Sequence, residues 1–304
     1  MSESNLVNST ACLILRFRRP GIKRKLTDDQ FKAEDAEKAL VDGSKKIIDS
    51  PEYQQIAAYE SSVKHFLRSK ALPSSLYRDS TYLIPLTSMK TVDEFLTKAE
   101  VEWRERVDAF LSVYEARKEE TKKRLGAVAD EADYLSKAAL EAAFSVAYEY
   151  VTLSTPSTLK QVSAALYERE EERLKLRLRS AEEDIIAKYR EQFSGMVKDM
   201  QTMLSGDAEE GKKAKRFSGW KVGRLVEYVE KFRVEQNVCG DTELATIMGT
   251  ASQLLQGVDP KELKSDEKWR QSLTADFAAL SKTLGELTQV KGTRQILDEE
   301  EDVA

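Results

Sequence analysis

Residues 138–153 read AALEAAFSVAYEYVTL, and the reversal signal STPS follows at 154–157. Ala139, Ala143, Val146 and Tyr150 in this stretch prolong an apolar series that begins far upstream. The series runs Phe95, Ala99, Trp103, Val107, Phe110, Tyr114, Leu125, Val128, Ala132, Leu135. Gaps of three and four are the seam of a coiled-coil-like helix, and Thr91-Val92-Asp93-Glu94 supplies a capping box at its start. Pro156 cannot continue an incoming helix but suits the first turn of the next. Beyond it Leu159, Val162, Leu166, Leu174, Leu178, Ala181, Ile185, Tyr189, Phe193, Met196 and Met200 repeat the spacing. The pattern predicts a long antiparallel αα-hairpin over residues 91–204 that reverses at Pro156. Gly126 costs roughly 1 kcal/mol against alanine inside the first arm, so two collinear segments meeting there is the alternative.

Shorter elements flank this rod. Residues 8–17 contain Cys12-Leu13-Ile14-Leu15, a continuous apolar run of strand length, and Pro20-Gly21 turns the chain. Thr27-Asp28-Asp29-Gln30 has capping-box spacing for a short helix to about Leu40. Ser50 or Pro51 opens a helix to about Ala71, and TYLIPL at 81–86 is a strand that Pro85 restricts to an edge. Three further helices are expected over residues 218–235, 241–256 and 265–290. The expected fold is mainly α, in four parts. These are a small α+β region at 1–90, the hairpin at 91–204, a C-terminal helical cluster at 216–290 and an acidic disordered tail at 291–304.

Composition agrees with long solvated helices. Of 304 residues 33% are charged, above the ~25% usual for globular chains. Thirteen glycines and six prolines are too few for an all-β sandwich or barrel. Residues 138–153 fall short of the ~20 apolar residues of a membrane span and include Glu141 and Glu149. Cys12 and Cys239 read as reduced thiols, and residues 1–10 lack the basic start of a secretory signal, so a cytoplasmic protein is expected.

The formal charge of −5 conceals an asymmetry. DEEED at 298–302 carries all of it, whereas RFRRPGIKRK at 16–25 holds Arg16, Arg18, Arg19, Lys23, Arg24 and Lys25 with no acid. Six cations in ten residues suit phosphates or an acidic protein surface, including such a tail; they also suit a solvated loop beside an edge strand. Phe17 apart, no aromatic residue is interleaved among them as a base-stacking platform needs. The other candidate surface is the tip of the rod, where Phe144, Tyr148, Tyr150, Val151 and Leu153 crowd near the turn. That grouping reads either as burial against the return helix or as a docking knob.

Catalytic chemistry finds little support. GDAEEGKK at 206–213 matches the opening of a phosphate-binding loop, yet Lys213 stands where magnesium needs Ser or Thr. One histidine, His65, and two distant cysteines exclude the usual zinc sets and give the His-dependent nucleophile arrangements little support. No catalytic, metal or cofactor site is expected.

The order of a short strand, a Lys/Arg-rich turn at 16–26, GSKKIID at 43–49, a small helix and TYLIP at 81–85 feeding a long helix resembles a known pattern. So do KRFSGWKVGRLVEYVEKF at 215–232 and ELATIMGTASQLLQGVDPKEL at 243–263. The chain resembles an uncharacterised helical family of bacteria and their phages, a domain of unknown function. Its members often lie near genes for MoxR-type AAA+ ATPases and von Willebrand A-domain proteins. The resemblance implies an accessory role in an ATP-driven assembly module, with a MoxR-type AAA+ ATPase as partner, and transfers no catalytic residue. The expectation is a non-enzymatic phage or prophage interaction protein that self-associates, since a two-helix rod leaves apolar faces uncovered. The alternative is a nucleic-acid-binding accessory using residues 16–25.

Overall fold

A computed structural model describes residues 5–27, 43–74, 76, 80–205, 219–258 and 266–289. The expected short helix after Thr27, the 206–213 loop and the acidic tail lie outside these residues. The chain is mainly helical with a small antiparallel sheet. In order, the elements are α1 (Asn5–Ser9), β1 (Thr10–Arg18), β2 (Lys23–Lys25), β3 (Ser44–Lys46), α2 (Pro51–Lys70) and β4 (Thr81–Pro85). Next come α3 (Met89–Leu125), α4 (Lys137–Ala142), β5 (Ser145–Val151), α5 (Leu159–Val162) and α6 (Ala164–Ser205). The last three are α7 (Gly219–Lys231), α8 (Thr242–Leu255) and α9 (Glu267–Gln289).

The apolar run Cys12 to Leu15 forms the middle of a three-stranded sheet ordered β4-β1-β5, antiparallel throughout. Side chains alternate across a strand, so a run with no polar break can serve two cores at once. Cys12 and Leu83 face one core, shared with the stripe Ile185, Tyr189 and Phe193 of α6 and with α7, α8 and α9. Leu13, Leu15, Tyr82 and Ile84 face the other, against Val63 and Leu67 of α2 and Val92, Leu96 and Ala99 of α3. The sheet joins segments on both sides of residue 90, so the expected boundary there runs through one hydrogen-bonded layer.

Helix α2 starts as expected, with the Ser50 hydroxyl accepting from the Tyr53 amide and Pro51 in the first turn. It packs antiparallel on α3. Phe66 stacks on Phe95 with centroids 3.7 Å apart, Trp103 Nε1 donates to Glu60, and Tyr53 meets Phe110 edge-on at 5.4 Å. Helix α3 begins at Met89, before the expected cap at Thr91. A 3₁₀ turn over Leu86–Ser88 leads into it, and the Ser88 hydroxyl turns to Glu235 instead of capping.

The main correction concerns the first arm of the rod. Helix α3 is 37 residues long and stops at Leu125, where Gly126 adopts φ +56°. The segment that follows is pulled back along the last turns of α3. Glu131 pairs with Lys118 and Lys122, Tyr114 Oη donates to the Leu135 carbonyl, and Lys45 grips Asp133 at 2.6 Å. Ala132 and Ala139, two steps of the supposed seam, are exposed. Residues 145–151 are a strand, so Pro156 lies between β5 and α5 and is not a helix-to-helix reversal. Each long helix takes its main partner elsewhere, α3 on α2 and the 42-residue α6 on α9.

The C-terminal cluster forms as expected. Asp241 caps α8 by accepting from the Leu244 amide. Its carboxylate also receives Arg190 of α6 at 2.7 and 2.9 Å, and Arg190 further reaches Glu243 at 2.8 Å and the Leu287 carbonyl at 3.2 Å. Arg190 and Asp241 are both buried, so one guanidinium ties α6, α8 and α9 together.

Two stability measurements follow. Gly126→Ala places a Cβ in open space but in a backbone region that L-residues avoid; a loss of about 1–3 kcal/mol in urea denaturation is expected. Arg190→Ala strands the buried Asp241 carboxylate and should cost about 3–5 kcal/mol by the same assay.

Candidate functional site

The basic segment forms the end of β1, a turn, and β2. Strand β2 pairs with β3 so that Lys23 lies opposite Lys46 and Arg24 opposite Lys45. Like charges facing across a ladder are unfavourable, and the structure offsets this mainly on the β3 side. Lys45 is buried, bound to Asp133 and donating to the Val128 carbonyl at 2.8 Å. Lys46 holds Asp49 at 2.5 Å, and Arg124 grips the other oxygen of Asp49 at 2.6 Å. Close by, Arg117 clasps Glu52 with two nitrogens, at 2.9 and 3.2 Å, while the Ser50 hydroxyl donates to it at 2.6 Å. These cationic hydrogen bonds hold Asp49 and Glu52 at about 2, below ordinary values of 3.8 and 4.5.

Where β1 ends, an open cleft of about 670 Å³ lies between the turn 18–22 and α2. Its floor is a polar cluster. Arg19 Nε donates to Glu60 at 3.1 Å and its Nη1 to Tyr53 Oη at 2.7 Å. Tyr53 Oη in turn donates to the Pro20 carbonyl, and Glu60 is buried while also accepting from Trp103. This network fixes the turn to α2 and uses up the charge of Arg19. Arg18 and Lys64 also line the cleft. Lys64 sits 5.8 Å above the Phe17 ring, and neither cation has an acidic partner among the described residues.

The six cations singled out in the sequence thus divide by role. Arg16 pairs with Glu149 of β5 at 3.3 Å, and Arg19 serves the floor of the cleft. Arg24 donates to the Gly21 and Lys23 carbonyls and steadies its own turn. Lys25 ends the ribbon, opposite Ser44. Arg18 and exposed Lys23 are left without an acid among the described residues. Lys64, Glu60 and Tyr53 were not singled out. They share one face of α2 at spacings of seven and four residues, with Phe17 opposite, but sequence spacing cannot tell which face of α2 the turn will meet.

The five residues assigned to a rod tip do not form one. Phe144 is buried among Trp103, Phe110 and Tyr53, and Leu153 is buried in the core that contains α6. Tyr148, Tyr150 and Val151 belong to β5. Tyr148 is half-buried against Tyr150, whose hydroxyl donates to Asp93 of α3 at 3.1 Å. Tyr150 and Val151 are exposed at the sheet edge, 43% and 36%. The knob is thus a strand, because alternate residues of this stretch complete the sheet face that β1 and β4 begin.

Desolvation raises both thiols, Cys239 to about 12, so neither is an activated nucleophile. Among the described residues no cluster of His, Cys, Asp and Glu could hold a metal, and no helix is long and apolar enough to cross a membrane. No family model, curated protein or solved structure matches the chain.

The ion pairs around Asp49 and Glu52 carry a pH signature. Their carboxylates titrate lower folded than unfolded, so the stabilisation is complete above about pH 4.5 and disappears as pH falls toward 2. Denaturation midpoints measured across that window should fall less steeply for Asp49→Asn/Glu52→Gln than for the parent chain.

Proposed function

We propose that the chain is a non-enzymatic interaction protein that docks an acidic protein segment at the cleft and along the basic ribbon. The observation that carries this reading is the set Arg18, Lys23 and Lys64. These three cations lack acidic partners among the described residues; Arg18 and Lys64 lie on the turn and helix locked together by the Arg19–Glu60–Tyr53 network, and Lys23 follows that turn as the first residue of β2. A fixed array of uncompensated charge offers an anion attraction without the entropy cost of ordering the array. The open cleft admits side chains rather than enclosing a small substrate. Phe17 and Tyr53, the two rings at the cleft, are packed against Trp103 and Phe110 and are not free to stack on a base. A protein ligand is therefore favoured over nucleic acid. The resemblance noted above extends the proposal to an accessory protein of phage or prophage type, beside a MoxR-type AAA+ ATPase.

A labelled peptide of residues 291–304, which contains DEEED, is a suitable acidic probe, with a DNA duplex of matched charge beside it. Anisotropy titrations at low and moderate salt should show peptide binding that weakens with salt. The triple variant Arg18→Glu/Lys23→Glu/Lys64→Glu should bind on the order of tenfold to a hundredfold more weakly. Unchanged binding in the variant removes the site, and tighter capture of the duplex than of the peptide replaces the reading with nucleic-acid binding.

A further inference from the structure

The two edges of the sheet differ. On β4 the outer side is occupied, since the Leu72 amide donates to the Leu83 carbonyl at 2.8 Å and Pro85 closes the strand. Strand β5 is seven residues long, SVAYEYV, and among the described residues nothing pairs with its outer side. An aromatic, β-branched edge of this length is a template for another strand.

The hydrogen-bond parity of this edge can be read from its neighbours. The Leu15 amide donates to the Ser80 carbonyl, which places the polar groups of Leu15 on the β4 side of β1. The outward Leu83 carbonyl, opposite Cys12, gives the same phase. Cys12, Ile14, Arg16 and Arg18 therefore bond to β5, through Val151, Glu149, Ala147 and Ser145. Val146, Tyr148 and Tyr150 are left with their amides and carbonyls directed away from the sheet.

We propose that a second copy of this chain pairs with β5 antiparallel, about a two-fold axis at Tyr148, to make one continuous six-stranded sheet. The register follows from the edge itself. Val146 facing Tyr150 of the second copy, and Tyr148 facing its own counterpart, use every outward group on both strands. Shifting by two residues in either direction loses a bonded pair, and one of those shifts sets Glu149 against Glu149. In the centred register Glu149 lies opposite Ala147, the apolar side chains share one face, and no like charges meet. A strand that is complementary to itself in this way satisfies the isologous contact of a dimer. The inference rests on reading the chain as an interaction protein, but it uses a different surface from the cleft.

Light scattering after size exclusion of the full chain, over a concentration series, tests it. Ala147 is exposed, so its replacements leave the core intact, which circular dichroism verifies. Ala147→Glu places two Glu–Glu pairs across the axis and should weaken the dimer on the order of tenfold. Ala147→Lys places two Lys–Glu pairs there and should tighten it by a similar factor. Tyr150→Pro removes an outward amide without touching the bonds to β1 and should give monomer. A parent chain that stays monomeric at every concentration overturns the proposal and leaves the edge to a strand of another protein. A dimer indifferent to the sign of charge at 147 overturns it too, because it forms elsewhere. Neither result bears on peptide binding at the cleft, which is measured separately.

Discussion

The antiparallel ladder on both sides of β1 organises the molecule. Its central residues are buried on two faces, which a strand can accomplish only when its amides and carbonyls are satisfied laterally. Segments more than a hundred residues apart, β1 and β5, are therefore held in register by peptide hydrogen bonds. With that ladder in place, Cys12 and Leu83 direct α6 to one side, and Leu13, Leu15 and Ile84 direct α2 and α3 to the other. Both proposed contact surfaces sit where this layer ends. The cleft forms at the C-terminal end of β1, and the open edge is its neighbour strand.

Charge in this chain is organised more than it is abundant. Buried or half-buried ion pairs join segments distant in sequence: Arg190 to Asp241, Lys45 to Asp133, Arg19 to Glu60 and Arg117 to Glu52. Each places a hydrogen-bonded cation beside a carboxylate that would be costly to leave alone. By contrast the first half of α6 is held by short-range pairs, Arg173 with Glu170 and Lys175 with Glu171, that matter mainly to the helix itself. The cations left over after this matching define the proposed contact surface. It could not have been identified from the cationic count of residues 16–25, at least half of which is spent internally.

Helical periodicity in residues 91–125 and 164–205 was legible because α3 buries one stripe from Val92 to Tyr114 and α6 buries one from Leu178 to Leu204. Between them, Val128, Ala132, Leu135 and Ala139 keep the same spacing but have no helix to face. Alanine and leucine at three- and four-residue intervals are frequent enough in a chain this rich in helix formers to continue a seam by chance. The competing signal was local. Gly126 offers a conformation that ends helices, and Val146-Ala147-Tyr148-Glu149-Tyr150 alternates with period two in β-favouring residues. A five-residue alternation inside sixty residues of apparent heptad is easily absorbed into the longer pattern.

Composition and local chemistry were enough to settle the helical class, the strand at Cys12 to Leu15, the opening of α2 at Ser50 and the edge character of the Pro85 strand. Each depends on neighbours within a few residues, where propensity, capping and side-chain period act directly. The identity of β5, the partners of α3 and α6, and the division of cations between structural and free were decided by long-range pairing. A strand is stable only beside another strand, and an ion pair only beside its counter-charge. Both conditions concern residues that the linear order places far apart and only the folded layers bring together.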